Sequence, residues 1–158
     1  MAETQTKLTK KGYEELKRRL HYLKAVQRPE VAQRIRQAKE FGEIGENSEY
    51  EDAKLEQAFV EGEIMNLEKM LQNAIIIDES ELPQGVVSIG STVKIREKGK
   101  EQIETYKIVS PAECDPRNGK ISNESLVGTK LMDSRAGETI KVEAPAGHLE
   151  YEILEILN

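Results

Sequence analysis

The segment Tyr50–Ala74, YEDAKLEQAFVEGEIMNLEKMLQNA, repeats its apolar residues at alternating steps of three and four. Such steps put the repeated side chains on one helix face with the period of a coiled-coil seam. We interpret the single polar member, Gln57, as a residue that fixes register. The ladder consists of Tyr50, Ala53, Gln57, Val60, Ile64, Leu67, Leu71 and Ala74.

A second ladder precedes the first and matches it when the chain folds back on itself. Ala38 then faces Tyr50, Tyr13 faces Ala74, and the pairing slips by one residue beside Pro29. Proline removes a helical hydrogen bond, so we expect the first helix to bend there. The ladder consists of Tyr13, Leu16, Leu20, Leu23, Gln27, Val31, Ile35 and Ala38.

Charge also separates the two ladders. Residues 1–39 carry 11 Lys or Arg against 4 Asp or Glu, whereas residues 40–74 carry 2 against 10. Opposite charges along the edges of the seam favour pairing of the two helices. The sequence therefore predicts an antiparallel coiled-coil hairpin about 40 Å long; a compact helical bundle is the alternative.

The second half of the chain differs from the first in composition, since four of the five prolines lie at or beyond Pro83. Short alternating segments separated by turns predict an antiparallel sheet, and residues 124–132 a short helix capped by Ser122 or Asn123. We therefore predict an α+β protein with a hairpin over residues 1–77, a linker over 78–84 and a sheet domain over 85–158. The predicted strands are 85–89, 92–96, 103–110, 138–144 and 148–157.

Composition excludes several classes of protein. No apolar run reaches the roughly 18 residues that a membrane span needs, and the N-terminus lacks the apolar segment of a secretory signal. One cysteine and two histidines leave no disulfide framework and little for a zinc site. We expect a cytoplasmic protein that does not contact membranes and is monomeric when free. A net charge of −6 makes strong unaided binding to nucleic acid implausible.

The predicted turn of the hairpin, residues 40–49, is acidic. Ser48 as N-cap with Glu51 at the third helical position reads as a capping box, which accounts for the acids that follow the turn. It leaves Glu40, Glu43 and Glu46 unexplained. Clustered carboxylates favour a hard divalent cation such as Mg²⁺, while a solvated acidic loop is the simpler alternative.

The same residues carry a resemblance to a known family. The stretch Gly42–Tyr50, GEIGENSEY, has the pattern Gly-acid-x-x-Glu-Asn-x-Glu-Tyr, and further similarity spans residues 8–12, 31–41 and 56–62. The chain resembles the bacterial Gre-type transcript-cleavage factors, in their GreA branch, over nearly its whole length. The resemblance implies a coiled-coil hairpin that enters the secondary channel of RNA polymerase. It also implies a C-terminal domain resembling the FKBP fold that docks at the channel rim.

The resemblance further implies roles for individual residues. Glu43 and Glu46 would be catalytic carboxylates that help to hold Mg²⁺ shared with the polymerase active site, where backtracked nascent RNA is cut. Lys39 and Lys54 would contact that RNA, unless they are simply solvated lysines. A docking segment for the polymerase would comprise Glu124, Ser125 and Leu126. The chain itself would be an accessory factor and no enzyme.

Three positions depart from the family pattern. Glu43 replaces the usual Asp, Gly45 replaces a polar or basic residue, and Leu126 replaces a proline. A factor with an altered turn could occupy the channel and inhibit instead of stimulating cleavage. The FKBP resemblance leaves a third alternative, a peptidyl-prolyl isomerase or chaperone, although fold analogy is a weak argument for function.

Overall fold

The computed structural model describes residues 5–42 and 47–158. Its chain divides into two compact units. The first covers residues 13–73, and the second combines residues 5–12 with residues 74–158. Each unit has its own apolar core.

The first unit is a pair of antiparallel helical arms. The first arm comprises α1 (Lys10–Tyr22), which begins in the second unit, a π-helical turn (Leu23–Gln27) and α2 (Arg28–Lys39). The second arm is α3 (Ser48–Gln72). Both predicted ladders meet in one core, so the helical hairpin is confirmed. Its buried residues are Leu23, Val31, Ile35, Ala53, Val60, Ile64 and Leu67.

The predicted slip between the ladders is accommodated by the π-helical turn. The Arg28 N–H donates to the carbonyl oxygen of Leu23, five residues back, which is the hydrogen bond of a π-helix. Pro29 stands at the start of α2, where its missing N–H is tolerated. The extra residue of the first arm is thus absorbed just before Pro29, close to the expected bend.

Among the described residues, four ion pairs join the basic arm to the acidic arm. Arg19 and Arg28 use two nitrogens each to reach Glu63 and Glu61, at 2.7 to 3.2 Å. These side chains are between 43% and 46% exposed, so solvent screens both pairs and they add little to the stability of the hairpin. The other two pairs are Lys24 with Glu68 and Arg34 with Glu56.

The second unit contains a five-stranded sheet in the order β5-β4-β3-β7-β6. All neighbours are antiparallel except β4 and β5, which are parallel, a pair that the expectation of an antiparallel sheet did not include. Buried Val93, Ile95 and Ile153 belong to its core. The strands are β3 (Thr92–Glu97), β4 (Ile103–Val109), β5 (Lys120–Ser122), β6 (Thr139–Ala144) and β7 (Gly147–Leu157).

A second, two-stranded sheet explains why the observed division of the chain differs from the predicted one. Strand β1 (Thr6–Thr9) pairs in parallel with β2 (Ala74–Ile77), just beyond the end of the α3 helix. The backbone N–H and hydroxyl of Thr9 donate to the Glu113 carboxylate at 2.8 and 2.7 Å. These contacts draw residues 5–12 and 74–77 into the second unit.

Two further predictions in this unit are wrong. Residues 85–89 form no strand. Their only sheet-like contact with the rest of the described chain is an isolated bridge between Val86 and Arg135. The short helix, α4, covers Leu126–Leu131, and its N-cap is Ser125, whose hydroxyl accepts from the Gly128 N–H at 3.0 Å. Ser122 cannot be the cap because it ends β5. A Cβ on Gly128 would lie 1.9 Å from the Ser122 carbonyl oxygen, so glycine allows α4 to approach this strand.

Candidate functional site

Asn47 closes the turn end of the hairpin, where α2 stops at Lys39 and α3 starts at Ser48. Its side-chain oxygen accepts from the Tyr50 N–H at 3.2 Å, and its side-chain nitrogen donates to the Ala38 carbonyl oxygen. The predicted cap, Ser48, is therefore wrong by one residue, since Ser48 is already helical. One asparagine ties the last turn of α2 to the first turn of α3.

Charged side chains surround this end of the hairpin. Glu40, Glu49, Glu51 and Asp52 are all exposed. The last three lie in the first turn of α3 or just beyond it, where exposed N–H groups favour anions. Glu40 follows the last residue of α2, at the end that disfavours a carboxylate, so its position has no such explanation.

The two carboxylates singled out by sequence, Glu43 and Glu46, lie outside the described residues. In the chain they fall between the end of α2 and the start of α3. Two carboxylates three residues apart offer the oxygen donors that Mg²⁺ prefers. Within residues 5–42 and 47–158, no three His, Cys, Asp or Glu side chains come together to hold a metal ion.

The two lysines proposed to contact RNA are exposed near the same end. Lys39 is the last residue of α2, and the Lys54 ammonium nitrogen lies 3.3 Å from the side-chain oxygen of Gln57. Phe41, which the sequence did not single out as functional, is 77% exposed beside them. It borders a cleft of about 320 Å³ whose other lining residues are Arg34, Gln37, Ala38, Glu49 and Asp52.

A second candidate site is a pocket of about 340 Å³ in the sheet domain. Ser125 and Leu126, two of the predicted docking residues, line it, and Leu126 is 60% exposed. The third, Glu124, is exposed beside them. The rest of the lining is mainly apolar and comprises Ile95, Glu104, Tyr106, Pro116, Ile121, Val127 and Tyr151.

Two tyrosines give this pocket its polar groups. The Tyr106 hydroxyl donates to the Glu104 carboxylate at 3.0 Å. Burial raises the pKa of Tyr106, and the hydrogen bond to Glu104 and its negative charge raise it further. Burial also raises the pKa of Tyr151, again with a contribution from Glu104. Both phenols are therefore neutral at physiological pH. The Tyr106 proton is already donated to Glu104, so Tyr151 is the candidate hydrogen-bond donor to a ligand.

Family models match both parts of the chain. A model described as the N-terminal part of a transcription elongation factor matches residues 6–76, and one described as the C-terminal part of GreA/GreB matches residues 82–158. The chain belongs to the GreA/GreB family of transcription elongation factors.

Known proteins are similar in sequence to this chain over most of its length. The transcription elongation factor GreA of Caldanaerobacter subterraneus is 51% identical over 149 residues, which is 94% of this chain and 95% of that protein. GreA of Clostridium botulinum is 50% identical over 94% of this chain and 93% of its own length. A solved structure of GreA factor homolog 1 (Gfh1) of Thermus thermophilus is 30% identical, with a TM-score of 0.44 over 98% of this chain and 100% of that one.

Sequence reasoning missed two parts of this GreA/GreB family member. It missed the pocket beside α4, because Tyr106, Tyr151 and the aliphatic side chains that line it come from segments far apart in the sequence. It also missed the Thr9–Glu113 contact, which joins residues 104 positions apart.

Among the described residues, no helix is long and apolar enough to cross a membrane.

Proposed function

We propose that this elongation factor works with bacterial RNA polymerase and stimulates the polymerase's own cleavage of backtracked RNA. The helical hairpin would enter the secondary channel, and the chain would contribute side chains to a reaction centre that belongs to the polymerase. By itself it would not be a nuclease.

The observation that carries this proposal is the position of Glu43 and Glu46 in the chain, between the end of α2 and the start of α3. Two antiparallel arms joined there give these carboxylates the reach of a 25-residue helix, about 37 Å. Glu43 and Glu46 would help to hold Mg²⁺ shared with the polymerase and orient the attacking water. When bound, that cation would polarise the water or stabilise the leaving oxygen of the RNA.

Other residues of the hairpin would support this role. The Asn47 side chain fixes the first turn of α3 against the end of α2. Exposed Lys39 and Lys54 would meet the phosphates of the extruded RNA. The chain carries a net charge of −6, so the polymerase must supply most of the affinity for RNA.

Docking at the rim of the channel would use the pocket beside α4. It combines an exposed apolar side chain, Leu126, with the neutral hydroxyl of Tyr151, which suits an apolar side chain flanked by a backbone carbonyl. We expect Leu126→Ala to weaken binding to core polymerase, whereas Ile103→Ala, also an exposed aliphatic residue of the sheet domain, should not.

The decisive experiment is transcript cleavage in halted, backtracked elongation complexes. We expect Glu43→Gln or Glu46→Gln to reduce cleavage at least a hundredfold while binding to polymerase persists. Glu30→Gln, an exposed carboxylate in the first turn of α2, is the matched control and should cleave normally. Normal cleavage by the Glu43→Gln/Glu46→Gln double variant would refute the proposed role of these residues.

The same assay separates the alternatives. A binding-only inhibitor would block elongation and release no short RNA products. An isomerase would use the pocket beside α4 for a prolyl peptide, and it would accelerate isomerisation of such a peptide in the absence of polymerase. We expect short RNA products in the first assay and no acceleration in the second.

A further inference from the structure

The outer face of α3 is apolar and uncovered by the rest of the hairpin. Successive residues of an α-helix are about 100° apart, so positions near Gly62 lie opposite the seam formed by Val60, Ile64 and Leu67. Leu55, Phe59 and Met65 on that side are 61%, 71% and 70% exposed. We define the outer face as Leu55, Ala58, Phe59, Gly62, Met65, Asn66 and Lys69, which together line one open groove.

Gly62 has no explanation within the hairpin. It lies in the interior of α3, where glycine is less favourable than almost any other residue, and its backbone is regular helix. A Cβ added there would meet no atom within 4 Å, so the hairpin itself does not require glycine. The missing side chain leaves a notch between Phe59 and Met65. Such a notch is useful where another molecule approaches the helix closely.

A second copy of the chain fits this face poorly. Charge says little about the occupant, because four of the seven carboxylates of α3 already pair with the basic arm. The area of the face is more informative, and it is small. Even if each of the three exposed apolar side chains buried as much as a large aromatic, about 150–250 Å², they would not reach the roughly 800 Å² per partner of a stable interface. The face suits a partner that is held by other contacts as well.

The geometry points to the outer face of α3 as a contact surface for an apolar segment of RNA polymerase. This inference rests on the proposed function, in which the polymerase surrounds the hairpin and the pocket beside α4 supplies a second contact. Phe59 is the main apolar anchor, and Gly62 admits the partner to the helix backbone.

The test compares variants of the full chain for binding to purified core polymerase and for cleavage of backtracked RNA. We expect Phe59→Ala to weaken binding about tenfold, as for a central aromatic anchor. Gly62→Gln should weaken binding by a similar factor while raising the melting temperature of the free protein by a few degrees, because glutamine favours the helix. Tyr22→Ala, an exposed aromatic on the other arm, is the control and should bind normally.

The outcomes separate this inference from the proposed function. If the unaltered chain binds polymerase and stimulates cleavage but both variants match it, the outer face is not a contact surface and the proposed function stands. If the unaltered chain does not bind polymerase, both fail. If sedimentation shows concentration-dependent dimers that Phe59→Ala abolishes, the occupant is a second copy and the inference is overturned.

Discussion

The two units of the chain bury their apolar residues in different ways. In the sheet domain, Val93, Ile95, Ile108 and Ile153 are completely buried. In the hairpin, burial is confined to one stripe between two arms, while Phe41 and Phe59 are more than 70% exposed. A two-layer sheet domain can surround a side chain on all sides, whereas a pair of helices covers only the facing stripe. The sheet domain therefore encloses its apolar core, whereas the hairpin leaves large apolar side chains in contact with solvent.

Removing a buried side chain from the sheet should give the largest effect. Ile153 on β7 is fully buried in the core, so we expect Ile153→Ala to cost about 3–4 kcal/mol of unfolding free energy, through lost burial and a cavity. Denaturant unfolding measures this loss. As a control on the same strand, Leu157→Ala truncates a 44% exposed residue and should cost far less. Equal losses would mean that burial on this strand does not distinguish the two positions.

The contact between Thr9 and Glu113 should have the next largest effect. The Glu113 carboxylate accepts two hydrogen bonds from Thr9, and a Cβ on Gly12 would lie 1.9 Å from one of its oxygens. We expect Glu113→Ala to cost about 1–3 kcal/mol, because a buried N–H and hydroxyl lose a charged acceptor. Denaturant unfolding checks this, with Glu101→Ala in an exposed loop as the control. An unchanged unfolding free energy would show that solvent replaces the contact.

Capping of α3 tests the turn end of the hairpin. We expect Asn47→Ala to lower the unfolding free energy by about 1 kcal/mol, the usual value for an N-cap. Ser48→Ala should cost less, because Ser48 is the first helical residue and not the cap. Thermal unfolding followed by circular dichroism compares the two. A larger loss of stability for Ser48→Ala than for Asn47→Ala would mean that Ser48 caps the helix, as the sequence predicted.

The ion pairs between the arms should matter least. The pair of Arg19 with Glu63 raises the pKa of Arg19, mainly through the hydrogen bond that Glu63 accepts, but both groups are more than 40% exposed. We expect a double-mutant cycle with Arg19→Gln and Glu63→Gln to give a coupling of about 0.2–0.5 kcal/mol, which added salt reduces. A coupling above about 1 kcal/mol would contradict the view that the apolar seam dominates hairpin stability.

The parts of the fold that the sequence predicts well are those set by local periodicity. The seam of the hairpin follows from steps of three and four, and even its one-residue slip beside Pro29 has a structural counterpart in the π-helical turn. The α+β class follows in the same way from the change of period after residue 78. In these regions, whether a side chain is buried depends on residues within two helical turns of it and on the one residue that faces it across the seam.

The parts that the sequence predicts poorly depend on distant partners. The sequence predicts Ala74 as the last residue of the α3 ladder and places residues 75–77 in the hairpin, yet residues 74–77 form a strand that pairs with residues 6–9. Residues 85–89 look like a strand but make one bridge only. The sequence predicted Ser122 or Asn123 as the cap of α4, whereas the cap is Ser125, because Ser122 belongs to a strand that pairs with β4. Glu43, Glu46, Lys39 and Lys54 stay predictions in their functional roles.

The π-helical turn also has a consequence for how this arm can change in length. Elsewhere in either arm, adding or deleting one residue would rotate every following side chain by about 100° and carry the apolar ladder away from its partner. Between Leu23 and Val31 the first arm already holds one residue more than the facing stretch of the second arm, Gln57–Ile64. Deleting a residue there would restore an unbroken α-helix and leave the facing partners on both sides unchanged. The π-helical turn is therefore the place where this arm could lose one residue without losing its apolar seam.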